Sequence, residues 1–218
     1  TGDAHSALRA RYGELALDHR VTLSRADDGT PDLPHVTSFF GPQLDGGAGT
    51  ALAGARLTSF EFVGRSDYAG WASWFSTHGW TDRLFQYTCD EPPLTCAWAD
   101  IPARARTARA AVPPLRTLVT TSIQEADANG VTDSIDVMVP VVNFMDDRPG
   151  STYAGNQRAK YDAFLAKPGR ELWLYQSCMS HGCGGTVNMG SPSDTDRYFT
   201  GWPSYMIDAS AVRNRAME

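Results

Sequence analysis

The chain has 218 residues, of which 20% are charged and 42% are apolar, and its formal net charge is -6. This length and composition are typical of one globular domain with a substantial core. The acidic balance argues against nucleic acid as a partner, because binding a phosphate backbone requires a clustered basic surface. No apolar run approaches the roughly 20 residues that span a bilayer, so no membrane association is expected.

Short β-rich runs alternate with helical patterns along the chain. The predicted strands are residues 21–24, 59–62, 84–89, 117–121, 135–139 and 172–175. The predicted helices are residues 7–16, 68–78, 101–111, 156–165 and 210–217. This alternation predicts parallel βα units rather than a sandwich of two sheets.

Two segments rich in Gly, Asp or Pro interrupt the alternation, at residues 25–54 and 182–201. We expect both to be long surface loops, which usually build the binding face of an α/β barrel. Residues 125–130 loosely resemble a calcium loop, but an Asx-rich turn is the better interpretation. No linker divides the chain, so we expect one domain over residues 1–218. Because the chain ends inside a predicted helix, we also expect a segment of a longer protein.

Two adjacent acids, Asp90 and Glu91, come directly after the aromatic-rich strand at residues 84–89, and Pro92 and Pro93 end regular structure after them. In α/β barrels, catalytic groups gather at this end of the strands. Paired acids there are candidates for general acid chemistry. A pair of solvated loop acids accounts for the same local pattern.

Three further polar residues lie near predicted strand ends. His19 and Arg20 precede the first strand, and Asn143 follows the fifth, just before a charged stretch, Asp-Asp-Arg, at residues 146–148. A histidine at a strand end can bind a substrate hydroxyl, although a structural hydrogen bond explains it equally well. For Asn143 the simpler alternative is a solvated loop.

Four aromatic residues have the spacing of one buried helix face, which predicts core packing. They are Tyr68, Trp71, Trp74 and Phe75. Other aromatic residues lie outside predicted helices, where a ring can stack on the C–H face of a sugar. The candidates are Trp80, Tyr175 and Trp202.

The four cysteines form two close pairs, Cys89 with Cys96 and Cys178 with Cys183. Two local disulfides would suit a secreted or cell-surface protein. A zinc site that adds His181 to the second pair is an alternative, although its spacing matches no standard zinc pattern. Free thiols are the third possibility.

Five stretches, in this order, together resemble the catalytic domain of family 123 glycoside hydrolases and their uncharacterised relatives. They are Asp18-His-Arg20, Tyr87-Thr-Cys-Asp-Glu-Pro92, Ile135-Asp-Val-Met-Val-Pro140, Glu171-Leu-Trp-Leu-Tyr175 and Trp202-Pro-Ser-Tyr-Met-Ile-Asp208, the last followed by Arg213 and Met217. The stretches cover nearly the whole chain. The bracketing cysteines are not part of this resemblance.

The resemblance implies a TIM-like (β/α)8 barrel, incomplete at both ends here because eight strands typically need about 250 residues. It also implies a retaining glycosidase that acts on terminal 2-acetamido sugars, typically β-linked N-acetylgalactosamine. Glu91 would be the general acid and base, and Asp90 would orient the acetamido group whose oxygen attacks the anomeric carbon. No cofactor or metal is implied.

Two alternatives remain open beside this hypothesis. In a non-catalytic carbohydrate-binding barrel, the acids would bind sugar hydroxyls and the aromatic rings would stack. In a metal hydrolase, Cys178, His181 and Cys183 would hold the ion. The expected partner is a carbohydrate in the first two cases, and the sequence does not indicate an oligomeric state.

Overall fold

A computed structural model of the protein describes residues 2–23, 32–141, 144–145, 149–175 and 207–208. Its strands pair in the order in which they occur along the chain. They are β1 (Phe60–Glu61), β2 (Leu84–Cys89), β3 (Arg116–Val119), β4 (Val137–Met138), β5 (Glu171–Leu174) and β6 (Ile207–Asp208). The prediction of a strand at residues 84–89 is confirmed.

The sheet has five parallel strands and an antiparallel strand at one end. The register pairs Phe60 with Leu84 and Val137 with Leu118. Because β1 and β6 stand at opposite ends of the strand order, the described strands do not close on one another. The prediction of a (β/α)8 barrel is therefore wrong. The strands of the described ranges form an open, partial α/β sheet.

Seven α-helices accompany the strands in the described ranges. They are α1 (Gly2–Asp18), α2 (Leu33–His35), α3 (Gly41–Asp45), α4 (Tyr68–Thr77), α5 (Ile101–Arg109), α6 (Ile123–Ala128) and α7 (Arg158–Leu165). A π-helical stretch, Val36–Phe40, joins α2 to α3. None of these helices combines the length and the apolar character that crossing a bilayer requires.

The backbone divides into two compact units. The first consists of Thr1–Tyr87 and Arg106–Arg116, and the second of Thr88–Ala105 and Thr117–Glu218. The predicted strand at residues 21–24 lies in the first unit. Its described part, residues 21–23, has no regular structure.

The core of the first unit includes part of the segment that we expected to be a surface loop. Val36, Phe40 and Leu44 are completely buried. They recur every fourth residue, which brings apolar side chains onto one face of a helical segment. The surface-loop prediction for residues 25–54 is therefore wrong over 36–44. Of the aromatic residues near α4, Trp71, Phe75 and Trp80 belong to this same core.

The second unit has its own core, in which β3 and β4 pack against α6 and α7. Ile123 and Ala126 of α6 are buried, as is Tyr161 of α7. Ser122 caps the first turn of α6, because its hydroxyl accepts the backbone N–H of Glu125 over 3.1 Å. The turn predicted at residues 125–130 is therefore largely helix. In the sequence, Ser122 is the residue that indicates where this helix begins.

Candidate active site

The two acids lie where β2 ends, in the second unit. β2 leaves the sheet after Cys89, so Asp90 is exposed and Glu91 is half-buried. Glu91 has a left-handed backbone with a φ of 43°. Residues other than glycine rarely adopt this backbone conformation, and those that do cluster at functional sites. The turn is closed by the N–H of Leu94, which donates to the Glu91 carbonyl over 2.8 Å.

A short covalent loop surrounds the acids. Cys89 and Cys96 form a disulfide, with their Cα atoms 5.9 Å apart. Within the loop, the Thr95 hydroxyl accepts the Asp90 N–H over 3.0 Å and donates to the Asp90 carbonyl. The loop is therefore fixed at its base by the bridge and inside it by Thr95. The second predicted pair, Cys178 and Cys183, lies outside the described residues.

Thr120 follows β3 and contacts both acids. Its hydroxyl donates to Asp90 Oδ1 over 2.8 Å. The same oxygen accepts the backbone N–H of Glu91 over 2.6 Å. The Thr120 side chain is buried, and its own N–H donates to the Cys89 carbonyl over 3.3 Å. The end of β3 thus holds the end of β2 through backbone and side chain together.

Tyr175 follows β5 and contacts Glu91. Its backbone N–H donates to the Pro140 carbonyl over 3.3 Å, which continues the parallel pairing of β4 and β5 past their ends. Its hydroxyl donates to Glu91 Oε1. Within the described part of the chain, Glu91 Oε2 accepts no hydrogen bond. One oxygen of this carboxyl group is thus oriented by the protein, and the other has no described protein partner.

These contacts define what the arrangement can do chemically. Asp90 and Glu91 are adjacent in the chain, and each carboxyl group accepts from a hydroxyl group that another strand end supplies. The described donor to the Glu91 side chain is a neutral hydroxyl, which orients the carboxyl group without the strong stabilisation of negative charge that an Arg or Lys would give. In the described ranges, no group of three or more His, Cys, Asp or Glu side chains is arranged to hold a metal ion. The two oriented carboxyl groups can transfer protons and bind polar groups of a ligand.

The other predicted site residues are distributed differently. His19 and Arg20 lie in the first unit, beyond the end of α1, and both are exposed. Their backbone N–H groups donate to carbonyls of α1. Trp80 is buried, and its Nε1 donates to Asp45 Oδ1 over 2.6 Å, so it is not available as a stacking platform. Asn143 and Trp202 lie outside the described residues.

A second polar cluster forms around Ser122, two residues after Thr120. The Ser122 hydroxyl donates to Glu125 Oε2 over 3.0 Å and lies 3.3 Å from the Tyr153 hydroxyl. Burial raises the pKa of Tyr153, and the Glu125 carboxylate raises it further, while the hydrogen bond with Ser122 opposes both. Because Ser122 also caps α6, the described contacts of this cluster support that helix.

Sequence reasoning missed Thr120, the residue on which the geometry of the acids depends. The available signal was weak. A hydroxyl residue directly after a buried parallel strand lies at the carboxyl edge of the sheet, next to the residues that follow the neighbouring strand. Nothing in the local pattern distinguishes Thr120 from Thr121, which also follows β3.

Comparisons with known proteins do not assign a family to the chain. No protein-family model matches it, and no curated protein is significantly similar to it. The resemblance to family 123 therefore remains a prediction from five stretches of sequence. The geometry of Asp90 and Glu91 provides the separate basis for a functional proposal.

Proposed function

We propose that the protein is a retaining glycoside hydrolase that acts on terminal 2-acetamido sugars. The substrate's own acetamido oxygen would be the nucleophile, as in the substrate-assisted exceptions to the two-carboxylate scheme. No metal or organic cofactor takes part in this reaction. The disulfide at the site favours an exported protein, because such bonds persist in oxidising compartments.

One observation carries the proposal: two adjacent acids at a strand end are each oriented by a hydroxyl group from a different strand end. Tyr175 donates to Glu91 Oε1, and Thr120 donates to Asp90 Oδ1. Adjacent acids with separate partners suit separate roles, in which one transfers a proton and the other binds. The resemblance to family 123 assigns the same two roles to the same two residues.

Glu91 is the proton donor in this mechanism. With Tyr175 bonded to Oε1, the proton resides on Oε2 and passes to the glycosidic oxygen as the bond to the anomeric carbon breaks. The acetamido carbonyl oxygen attacks that carbon from the other face and forms a cyclic oxazolinium ion. Glu91 then takes a proton from water, which attacks the anomeric carbon and reopens the ring with retained configuration.

Asp90 stabilises the intermediate. The oxazolinium ion carries a positive charge, and a carboxylate beside its N–H offsets that charge and orients the group for attack. Thr120 restricts the rotation of the Asp90 carboxylate through the bond to Oδ1. A carboxylate that is already oriented does not need to reorganise during the reaction.

The test is hydrolysis of a panel of nitrophenyl glycosides with and without a 2-acetamido group, using the wild type and Glu91→Gln. We expect turnover only on 2-acetamido substrates, and proton NMR of the first product should show the configuration of the substrate. Replacing the acetamido group by trifluoroacetamido should slow the reaction, because the carbonyl oxygen becomes a weaker nucleophile.

Glu171→Gln is the matched control. Glu171 is also half-buried in the second unit, but it begins β5 rather than following a strand, and its Oε2 accepts the Trp173 Nε1–H over 3.0 Å. We expect this variant to retain wild-type kcat/KM. Turnover on plain glycosides would contradict the substrate-assisted mechanism. Sugar binding without turnover on any substrate would instead support a carbohydrate-binding protein.

A further inference from the structure

Thr120 links the two acids through a single atom. Its oxygen donates to Asp90 Oδ1 over 2.8 Å and accepts the Glu91 N–H over 2.6 Å. A threonine hydroxyl has one proton and two lone pairs, so both bonds form at the same time. The side chain of the first acid and the backbone of the second therefore share one partner.

The two bonds reinforce each other. The Thr120 side chain is 4% exposed, so its hydroxyl has little access to competing water. Donation to a carboxylate makes a hydroxyl oxygen a better acceptor, and chains of hydrogen bonds polarise one another where the dielectric constant is low. Moving Asp90 would therefore weaken the bond that holds Glu91, and moving Glu91 would weaken the bond to Asp90.

Glu91 depends on such a partner because of its backbone. Its φ of 43° is a conformation that persists only where the surroundings fix it. Its N–H donates to Thr120, and its carbonyl accepts the Leu94 N–H. Without the Thr120 hydroxyl, the N–H would lose its acceptor and the turn could relax toward a commoner conformation.

We propose that Thr120 is a positioning residue that fixes the Asp90 carboxylate and the Glu91 backbone relative to each other. It acts through the two acids and does not itself contact the reacting atoms. The proposal rests on the glycosidase function proposed above and adds the end of β3 to the machinery of that reaction.

Thr121 provides a matched control. It is the adjacent residue, it is buried to the same degree as Thr120, and its hydroxyl donates to the Ser122 carbonyl over 3.3 Å. A hydroxyl that only supports the fold would behave alike at the two positions. Valine replaces threonine at nearly the same volume, so Thr120→Val and Thr121→Val each remove one hydroxyl and little else.

The first test compares kcat and KM of Thr120→Val, Thr120→Ser and Thr121→Val on nitrophenyl and alkyl 2-acetamido glycosides. We expect Thr120→Val to lower kcat by about 10- to 100-fold with KM within about threefold, because small misplacements of catalytic groups have effects of this size. The loss should be greater on the alkyl substrate, whose leaving group needs the proton more. Thr120→Ser should stay within about threefold of the wild type.

Two results would overturn the proposal: equal losses for Thr120→Val and Thr121→Val, or a Thr120→Ser variant as impaired as Thr120→Val. In the first case the hydroxyl would be a general support of the fold. In the second case the methyl group would matter rather than the hydrogen bonds.

A second test does not depend on turnover. Urea unfolding of Thr120→Val, Asp90→Ala and the double variant forms a double-mutant cycle. We expect the double variant to unfold near the midpoint of the less stable single variant, because the second change removes a bond that is already lost. Additive shifts would overturn the proposal. Non-additive shifts in a protein that hydrolyses no 2-acetamido glycoside would contradict the glycosidase function and leave the positioning role intact.

Discussion

The amino ends and the carboxyl ends of the strands in the second unit hold acids in contrasting ways. At the amino ends, Asp136 Oδ2 accepts both the N–H and the hydroxyl of Thr117, each over 2.8 Å. Its Oδ1 accepts Arg170 Nη1 over 3.1 Å. At the carboxyl ends, Thr120 holds Asp90 in a similar way, but the described partner of the Glu91 side chain is the neutral hydroxyl of Tyr175.

The difference separates a structural acid from one that is available for chemistry. Arg170 neutralises Asp136 and also donates to the Asp133 carbonyl, so it connects the beginnings of β4 and β5. Among the described residues, Glu91 forms no ion pair. An acid that is oriented but not neutralised can exchange a proton with a ligand, whereas a paired one mainly contributes stability.

We expect Glu91→Gln to distinguish most clearly the acid at the carboxyl ends of the strands from the structural acid at the amino ends. We expect kcat/KM on a 2-acetamido alkyl glycoside to fall by about 10²–10⁴-fold, the usual contribution of general acid catalysis. The urea midpoint should hardly change, because glutamine keeps an acceptor for Tyr175. If Glu91→Gln lost as much free energy of unfolding as Arg170→Met, the two acids would not differ in the way that we propose.

Arg170→Met should have the opposite effect, a loss of stability with little change in activity. The Arg170 and Asp136 side chains are 12% and 20% exposed. Met removes the cation that donates to Asp136 Oδ1, which we expect to cost about 2–3 kcal/mol in the free energy of unfolding, less than for a fully buried pair. Urea unfolding measures this loss, and kcat/KM should stay within about twofold.

The control for Arg170 is Lys167→Met. Lys167 pairs with Asp133 over 2.9 Å, but their side chains are 51% and 87% exposed. Exposed pairs contribute roughly 0–1 kcal/mol, so this variant should unfold close to the wild type. Equal losses for the two variants would contradict the structural role of Asp136.

Removal of the Cys89–Cys96 disulfide should lower both the free energy of unfolding and kcat. Replacing Cys89 and Cys96 by serine opens a short loop, with an expected cost of roughly 2–3 kcal/mol in the chain-entropy estimate. Because the loop carries both acids, kcat should fall as well, by about tenfold. Dithiothreitol should impair the wild type to a similar extent. Any effect of dithiothreitol on the double variant would come from Cys178 and Cys183.

Tyr175→Phe tests the bond that orients Glu91. Loss of one hydrogen bond to a catalytic group should lower kcat by roughly tenfold, which corresponds to about 1.4 kcal/mol. The free energy of unfolding should change by less than about 1 kcal/mol, since the half-buried ring remains. Unchanged kinetics would show that the Glu91 carboxyl group is oriented by other contacts.

The smallest change in the free energy of unfolding at pH 7 is expected for Tyr161, in the core of the second unit. Tyr161 is completely buried, and within the described chain its hydroxyl makes no well-aligned hydrogen bond. Burial raises the pKa of Tyr161, which the backbone of Ile123 opposes only in part. Above about pH 10 the unfolded tyrosine loses its proton and the folded one keeps it, so stability falls as the pH rises.

Tyr161→Phe should remove that alkaline dependence. We expect the variant to be within about 1 kcal/mol of the wild type at pH 7, because the hydroxyl makes no well-aligned hydrogen bond among the described residues, and to be the more stable of the two above pH 10. Thermal melts between pH 7 and 11 measure this. Tyr12→Phe is the control, since it removes the hydroxyl of a tyrosine that is 57% exposed rather than buried.

The sequence predicted elements better than their assembly. The strand at residues 84–89 was correct because its aromatic alternation is local and Pro92 ends it. Closure into a barrel depends on how many strands pair around a ring, which no local pattern reports. The helical segment over residues 36–44 was missed although its apolar residues recur every fourth position, because the Gly and Pro on both sides outweighed that spacing.

The site was predicted in part. Asp90 and Glu91 stood out because two acids directly follow a strand, and Tyr175 was named for a different role, stacking on a sugar. Its contact with Glu91 joins residues far apart in the chain. Thr120 contacts Asp90 across a separation of 30 residues. Such contacts depend on which strands are neighbours in the sheet. The sequence indicates strand neighbours only through the barrel that the family resemblance implies, so it does not single out Thr120.

The bridge between Cys89 and Cys96 also determines how the chain would respond to proteolysis. Leu94 is 75% exposed within the loop, and exposed loop tips are the preferred sites of cleavage by an endoprotease. A single cut there would leave both fragments covalently joined, so a nonreducing gel would show an intact chain and a reducing gel two pieces. A nicked protein of this kind would keep both strand ends attached and lose only the continuity of the backbone beside the acids.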